Sequence, residues 1–327
     1  MSFMLPDPFP PPWASEWEED AEWGLAATLN LNGVKQTFRW IQPGTFPMGS
    51  PPDEVDRFDS ETQHEVTLTR GYWLADTACT QALWQAVMGD NPSQFKDDPA
   101  NPVETVSWDD VQTFIDRLNA LVPGLAAGLP SEAQWENACR AGTTTPFSFG
   151  KNITPEQVNY AGNFPYADGK KGRYRQRTVP VKSLPPNPWG LYEMHGNVLE
   201  WCDDWNGDYP AEPQTDPSGP PEGVLRVLRG GSWGDDGRFC RAADRDGYEP
   251  GFRGGFIGFR LAPGQRPGPG GQEAARRADG QAQAERRPGC GQRRRRAAGK
   301  GEERVGASAS HATMPIPRCH PSASAPA

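Results

Sequence analysis

Between Arg229 and Arg260 the chain reads RGGSWGDDGRFCRAADRDGYEPGFRGGFIGFR, dense in glycine, aspartate, arginine and aromatic residues, with Cys240 as its one sulfur. Thiol oxidation ordinarily needs a second thiolate or a set of metal ligands, so this composition suits a displayed binding surface better than a redox centre. Two side chains keep catalysis open, the Ser232 hydroxyl and the Cys240 thiol. Upstream, His195 sits in a glycine-bounded loop without an evident nucleophile and is expected to act as a hydrogen-bonding support. Asp203, Asp204 and Asp208 follow, and a solvated acidic loop is the expectation for them.

The rest of the chain offers little to complete a reactive centre. Its six cysteines (Cys79, Cys139, Cys202, Cys240, Cys290 and Cys319) are scattered, no pair has C-x-x-C spacing, and only His64 and His195 precede the tail. A disulfide framework or a histidine-rich zinc or iron centre cannot be built from that set.

Positioning falls to short elements. Phe38–Ile41 reads as a strand entering a turn at Pro43-Gly44, and Glu65–Thr69 alternates with period two. Ser107 starts a helix with Asp110 at the third position, followed by Val111, Phe114, Ile115 and Leu118 at helical spacing. Ser131 and Gln134 form a second capping box ahead of Trp135, Ala138 and Cys139, and a third helix is expected from about Thr80 to Met88. No strand–helix alternation or long repeat appears, so pattern alone gives one α+β domain.

Charge divides the chain. Residues 265–327 carry 12 Lys/Arg against 5 Asp/Glu, which leaves 21 against 37, a net −16, on residues 1–264. An acidic body argues against nucleic acid as its partner. The tail is Gly-, Pro-, Ala- and Arg-rich with a run Arg293–Arg296, and is expected to be a disordered, solvated extension. No apolar run is long enough to span a membrane and no signal-peptide pattern opens the chain, so the expected compartment is the cytoplasm.

Seven motifs occur in one order: PGTFPMGSPPDE, HEVTLTRGYWLADTACT, NPVETVSWDD, LPSEAQWENACRAGT, GLYEMHGNVLEWCDDW, RGGSW and IGFR. Together they resemble the formylglycine-generating enzyme, or sulfatase-modifying factor, family. The resemblance implies a single compact variant of the C-type lectin fold, low in regular secondary structure, over residues 34–262, with 1–33 as a lead-in and 263–327 as the tail. It also implies oxidation of a peptide cysteine to formylglycine, with oxygen and copper on two cysteines. In this chain those two positions are Gly237 and Ala242, while Cys240 falls between them and Ser232 matches the family's active-site serine. Copper is disfavoured, because a soft Cu(I) ion needs thiolate or thioether ligands. Cys202 and Cys240 both adjoin family motifs and remain open to three readings: a packed buried pair, a redox pair, or a relocated metal site.

The resemblance implies structural calcium as well. One site would use Glu193 and Glu200 with the carbonyls of Gly196 and Val198; another would begin at Asn159 and Tyr160 and close near Tyr174. The alternative for Glu200 is an arginine partner that braces the loop. The window from Ser232 to Ile257 further resembles the variable region of retroelement-diversified ligand-binding proteins, with Gly234, Gly247, Gly254 and Gly255 among its substitutable positions. Asp235, Asp236, Phe239, Asp244, Asp246, Tyr248, Phe252 and Phe256 would then contact an unknown protein or small ligand. Noncatalytic binding is the first expectation, and oxidoreductase action on a peptide cysteine through an atypical site is the alternative.

Overall fold

The computed structural model describes residues 4–264. The basic run and the tail residues Cys290, Cys319, His311 and His320 lie outside the described residues. In chain order the elements are β1 (Glu16–Asp20), β2 (Gly24–Leu31), β3 (Val34–Ile41), β4 (Gly44–Met48), β5 (His64–Leu68), β6 (Tyr72–Ala75), α1 (Gln81–Met88), α2 (Trp108–Leu121), α3 (Glu132–Arg140), β7 (Leu199–Trp205), β8 (Gln214–Thr215), β9 (Arg226–Arg229), β10 (Arg245–Tyr248) and β11 (Ile257–Gly258). A short 3-10 turn, Gly237–Cys240, interrupts the long connection from β9 to β10.

The helices begin where their caps dictate. At α2 the Ser107 side chain accepts the Asp110 N–H while the Asp110 carboxylate accepts the Ser107 N–H, a complete reciprocal box. Val111, Phe114, Ile115 and Leu118 are fully buried along one stripe. Each such side chain contributes on the order of 2 kcal/mol by leaving water. Helix α3 repeats the device with Ser131 and Gln134 and buries Trp135, Ala138 and Cys139. Helix α1 starts at the Thr80 cap and stops at Gly89, whose φ of 86° suits a residue without a β-carbon.

Three sheets carry the strands: β1-β2-β3-β6, β4-β5-β8 and β10-β9-β7-β11. The first includes residues expected to be a lead-in. Thr28 pairs with Glu16 on one side and Thr37 on the other, and Leu25, Ala27, Leu29 and Leu31 enter the main core. That core unites the first sheet with Leu83 and Trp84 of α1, the α2 stripe, and Ile257 and Phe259. A second core sets Trp135 and Ala138 of α3 against Phe46, Met48, Val66 and Leu68, and a third gathers Phe147, Ile153, Tyr160, Tyr166 and Cys240. The architecture is mixed α and β with modest regular structure. Among the described residues no helix is long and apolar enough to cross a membrane.

Candidate functional site

Strand β9 ends in Gly230 and Gly231, at φ of 97° and 70°. A β-carbon on Gly231 would stand 2.7 Å from the Cys240 sulfur, so the chain can turn here only because the side chain is absent. Ser232 follows, buried, and its hydroxyl donates to Asp235 Oδ2 at 2.8 Å. Trp233 then anchors the neighbouring loop, since its indole N–H donates to the Gly255 carbonyl at 3.0 Å. Phe95 meets its ring edge-on at 5.5 Å and Tyr174 stacks on it at 6.5 Å. Burial, with the Asp235 carboxylate nearby, raises the Tyr174 phenol.

The expected ligand-contacting residues separate by depth. Asp236 is half-buried and pairs with exposed Arg238 at 3.3 Å; both border an open depression of about 420 Å³ beside Phe164 and Lys171. Phe252 is exposed, stacks on Tyr248 at 4.5 Å and adjoins half-buried Phe256. Asp246 is half-buried on β10. By contrast Asp235, Phe239, Asp244 and Tyr248 are buried. Phe239 stacks on Phe58 beneath the surface, and Asp244 lies 3.8 Å from the Arg241 guanidinium. Loop sequence has no periodicity that distinguishes these four from their outward neighbours.

A buried ionic frame holds the loops from below. Arg241 bonds Glu61 at two points and Glu54 at one, tying the 3-10 turn to residues 54–61. Arg229 pairs with Glu136 and donates to the Asp244 carbonyl, while Arg245 clasps Glu132 through two bonds of 2.8 Å. Their acidic partners precede the loop by roughly a hundred residues or more, so sequence spacing gave no sign of these pairs.

His195 is a clamp. Its Nδ1–H donates to the Cys240 carbonyl at 2.7 Å, and Nε2 accepts from the Ser148 backbone N–H at 3.1 Å and faces the hydroxyl at 3.0 Å. Burial pulls the imidazole down to about 4, which keeps it neutral. Cys139, which sequence did not single out as a site residue, places its sulfur 3.6 Å from Nε2.

A β-carbon at Gly237 would lie 2.6 Å from the Tyr166 nitrogen, and Ala242 is wholly buried. Cys240 belongs to the third core and Cys202 to the second. Burial raises the Cys202 thiol well above its ordinary range. Among the described residues no group of three or more His, Cys, Asp or Glu is disposed to hold a metal ion.

For calcium, Glu200 is the deciding residue. Its carboxylate takes two bonds from Arg260, at 2.6 and 2.8 Å, and one from the Trp135 indole at 2.7 Å. Arg260 thus braces Glu200 within the fold, the arginine partner that was the alternative for this residue. Gly196 meanwhile donates to the Gly230 carbonyl and bridges Asn159, and Val198 is buried. Tyr160 is in the third core, and Tyr174 faces Trp233. Glu193, at φ 47°, keeps one buried oxygen without a partner, and burial pushes its carboxyl up to about 7. Of the expected acidic loop, Asp203 and Asp208 are exposed but Asp204 is buried, accepting the Glu132 N–H at 2.9 Å.

Residues 25–264 match the sulfatase-modifying factor enzyme 1-like domain. The formylglycine-generating enzyme of Streptomyces coelicolor is 37% identical over 174 residues, which cover 50% of this chain and 53% of that enzyme. The chain thus spans about half the length of that relative. Among solved structures, Treponema denticola variable protein 1 matches with a TM-score of 0.63 and 29% identity, covering 74% of this chain and 99% of that one. PvdO from Pseudomonas aeruginosa matches at 0.61 and 28%, covering 72% and 97%. By its motif order and this match, the chain belongs to the sulfatase-modifying factor enzyme 1-like family.

Proposed function

We propose that the body is a noncatalytic recognition domain of the cytoplasm, binding a protein or small ligand through the loops between Ser232 and Ile257. What supports this reading is that the positions the resemblance pairs with the family's two thiolates hold Gly237, whose β-carbon would press on backbone, and buried Ala242. The buried arginines and Trp233 support it, because they fix the loops without help from the side chains of Asp236 or Phe252, which can vary while the frame stands. Similarity to Treponema denticola variable protein 1, at 29% identity, agrees with loops that vary on a common frame. The domain itself is assigned to residues 34–262, extended back through the strands β1 and β2.

The named enzymes among the relatives favour the second reading, oxidation of a peptide cysteine, at least as strongly as they favour binding. One experiment separates the two. The chain is incubated with copper, oxygen and a cysteine peptide, and carbonyl formation is followed with an aldehyde-reactive probe. A product that disappears in Cys240→Ser or Ser232→Ala would overturn the recognition reading. No product, together with a partner bound by the parent and lost in a Phe252→Ala, Phe256→Ala double variant of unchanged melting midpoint, supports it.

A further inference from the structure

A cavity of about 330 Å³ opens where β7 leaves the third sheet, and shares only Arg245 with the recognition segment. Its size is that of a small-molecule pocket. Met48, Trp205 and Pro220 give it apolar walls, and His64, Asp204, Asp208 and Tyr209 bring polar groups to it.

The polar groups are of one kind. Arg245 directs its guanidinium to Glu132 and to the Gly207 carbonyl, at 2.6 Å for the latter. The Tyr209 hydroxyl donates to Glu132 at 2.8 Å. The guanidinium and phenol on the wall are thus engaged. Asp204 accepts the Glu132 N–H through Oδ2, while its Oδ1 receives no hydrogen bond from the described residues and lies beside Gly219 on the same wall. His64 donates from Nδ1 to the Thr62 carbonyl at 3.0 Å, and with the proton on Nδ1 the lone pair of that tautomer lies on Nε2. Asp208 adds an exposed carboxylate at the rim.

A pocket with acceptors free and donors engaged selects a ligand that donates. Glu132 and Arg245 offset each other, so Asp204 and Asp208 leave the cavity short of positive charge. Burial, with Glu132 alongside, pushes the Asp204 carboxyl up to about 8, so it is largely protonated in the empty cavity at neutral pH and gives up that proton when a cation binds. The apolar walls call for a hydrocarbon body behind the charged end.

We propose that this cavity binds a small organic cation, a protonated primary amine with an apolar body, held by Asp204 with His64 as the second acceptor. Independence from the recognition loops lets it be tested apart from them. The probes are phenethylamine, its neutral counterpart phenethyl alcohol and the anion phenylacetate, titrated calorimetrically into the full chain at neutral pH. The amine is expected to bind saturably and at least about tenfold more tightly than either counterpart, a difference of about 1.4 kcal/mol. Asp204→Asn is expected to weaken the amine by about tenfold or more, an ion-pair loss of the same order. Ser218→Trp, placed at the exposed mouth, should do the same by filling space and decides the matter if Asp204→Asn does not fold. Equal binding of the three probes, amine binding untouched by Ser218→Trp, or no amine binding at about 10 mM, where even a millimolar Kd would register, would overturn the proposal.

Discussion

Arg241 holds Glu61 through two bonds of 2.7 Å, NH1 to Oε2 and NH2 to Oε1, with both side chains sealed from solvent. The pair fastens the turn carrying Phe239 and Cys240 to residues 54–61. Removing one partner leaves a charge buried alone, at a cost of about 3–5 kcal/mol. Arg241→Ala is expected to lower unfolding free energy by that amount in urea denaturation, and Arg241→Lys to recover only part of it, because an ammonium cannot reproduce the two-point geometry. A loss below about 1 kcal/mol would mean the pair contributes little.

His195 makes stability depend on pH. Its folded value of about 4 lies below the ordinary 6.5, so the unfolded chain binds more protons between those values. Its contribution is complete above about 6.5 and is lost as pH falls towards 4, up to about 3 kcal/mol. Comparing His195→Gln with the parent across that window isolates the effect from other acids. The variant should show the shallower slope, and parallel curves would count against the clamp.

Restoring the family's thiols should fail for steric reasons. Any side chain at Gly237 meets the Tyr166 backbone at 2.6 Å, so Gly237→Cys is expected to cost about 1–3 kcal/mol through overpacking. Gly237→Ala should cost nearly as much, because the β-carbon itself makes the clash. Thermal melts of the two variants check this, and a fully stable Gly237→Cys would show that the turn yields.

Calcium is tested by chelation. With Glu200 committed to Arg260 and Trp135, the melting midpoint is expected to be the same with EDTA and with millimolar calcium. A bound ion would raise it by mass action. Glu200→Gln, which discards the charge facing Arg260, should destabilise by about 3–5 kcal/mol in either medium.

Surface and frame should respond differently to truncation. Phe252→Ala is expected to cost far less, about 1 kcal/mol, since 39% of the residue stays exposed, while Phe239→Ala, with 6% exposed, should cost about 3–5 kcal/mol. Denaturation midpoints compare them directly.

The sequence by itself determined what is local. The boxes at Ser107 and Ser131 and the α2 stripe are three- and four-residue relations, readable because helical hydrogen bonds and side-chain periodicity close over one turn. Motif order likewise located the family frame. Tertiary structure alone decided which loop residues face outward, because irregular backbone has no period to carry that information. It turned Asp244 and Phe239 inward to the Arg241 guanidinium and Phe58, and left Phe252 outside. It chose Arg260, sixty residues away, as the partner of Glu200, and brought residues 16–31 into the first sheet. Those outcomes depend on contacts between distant segments, where burial and charge pairing settle what spacing cannot.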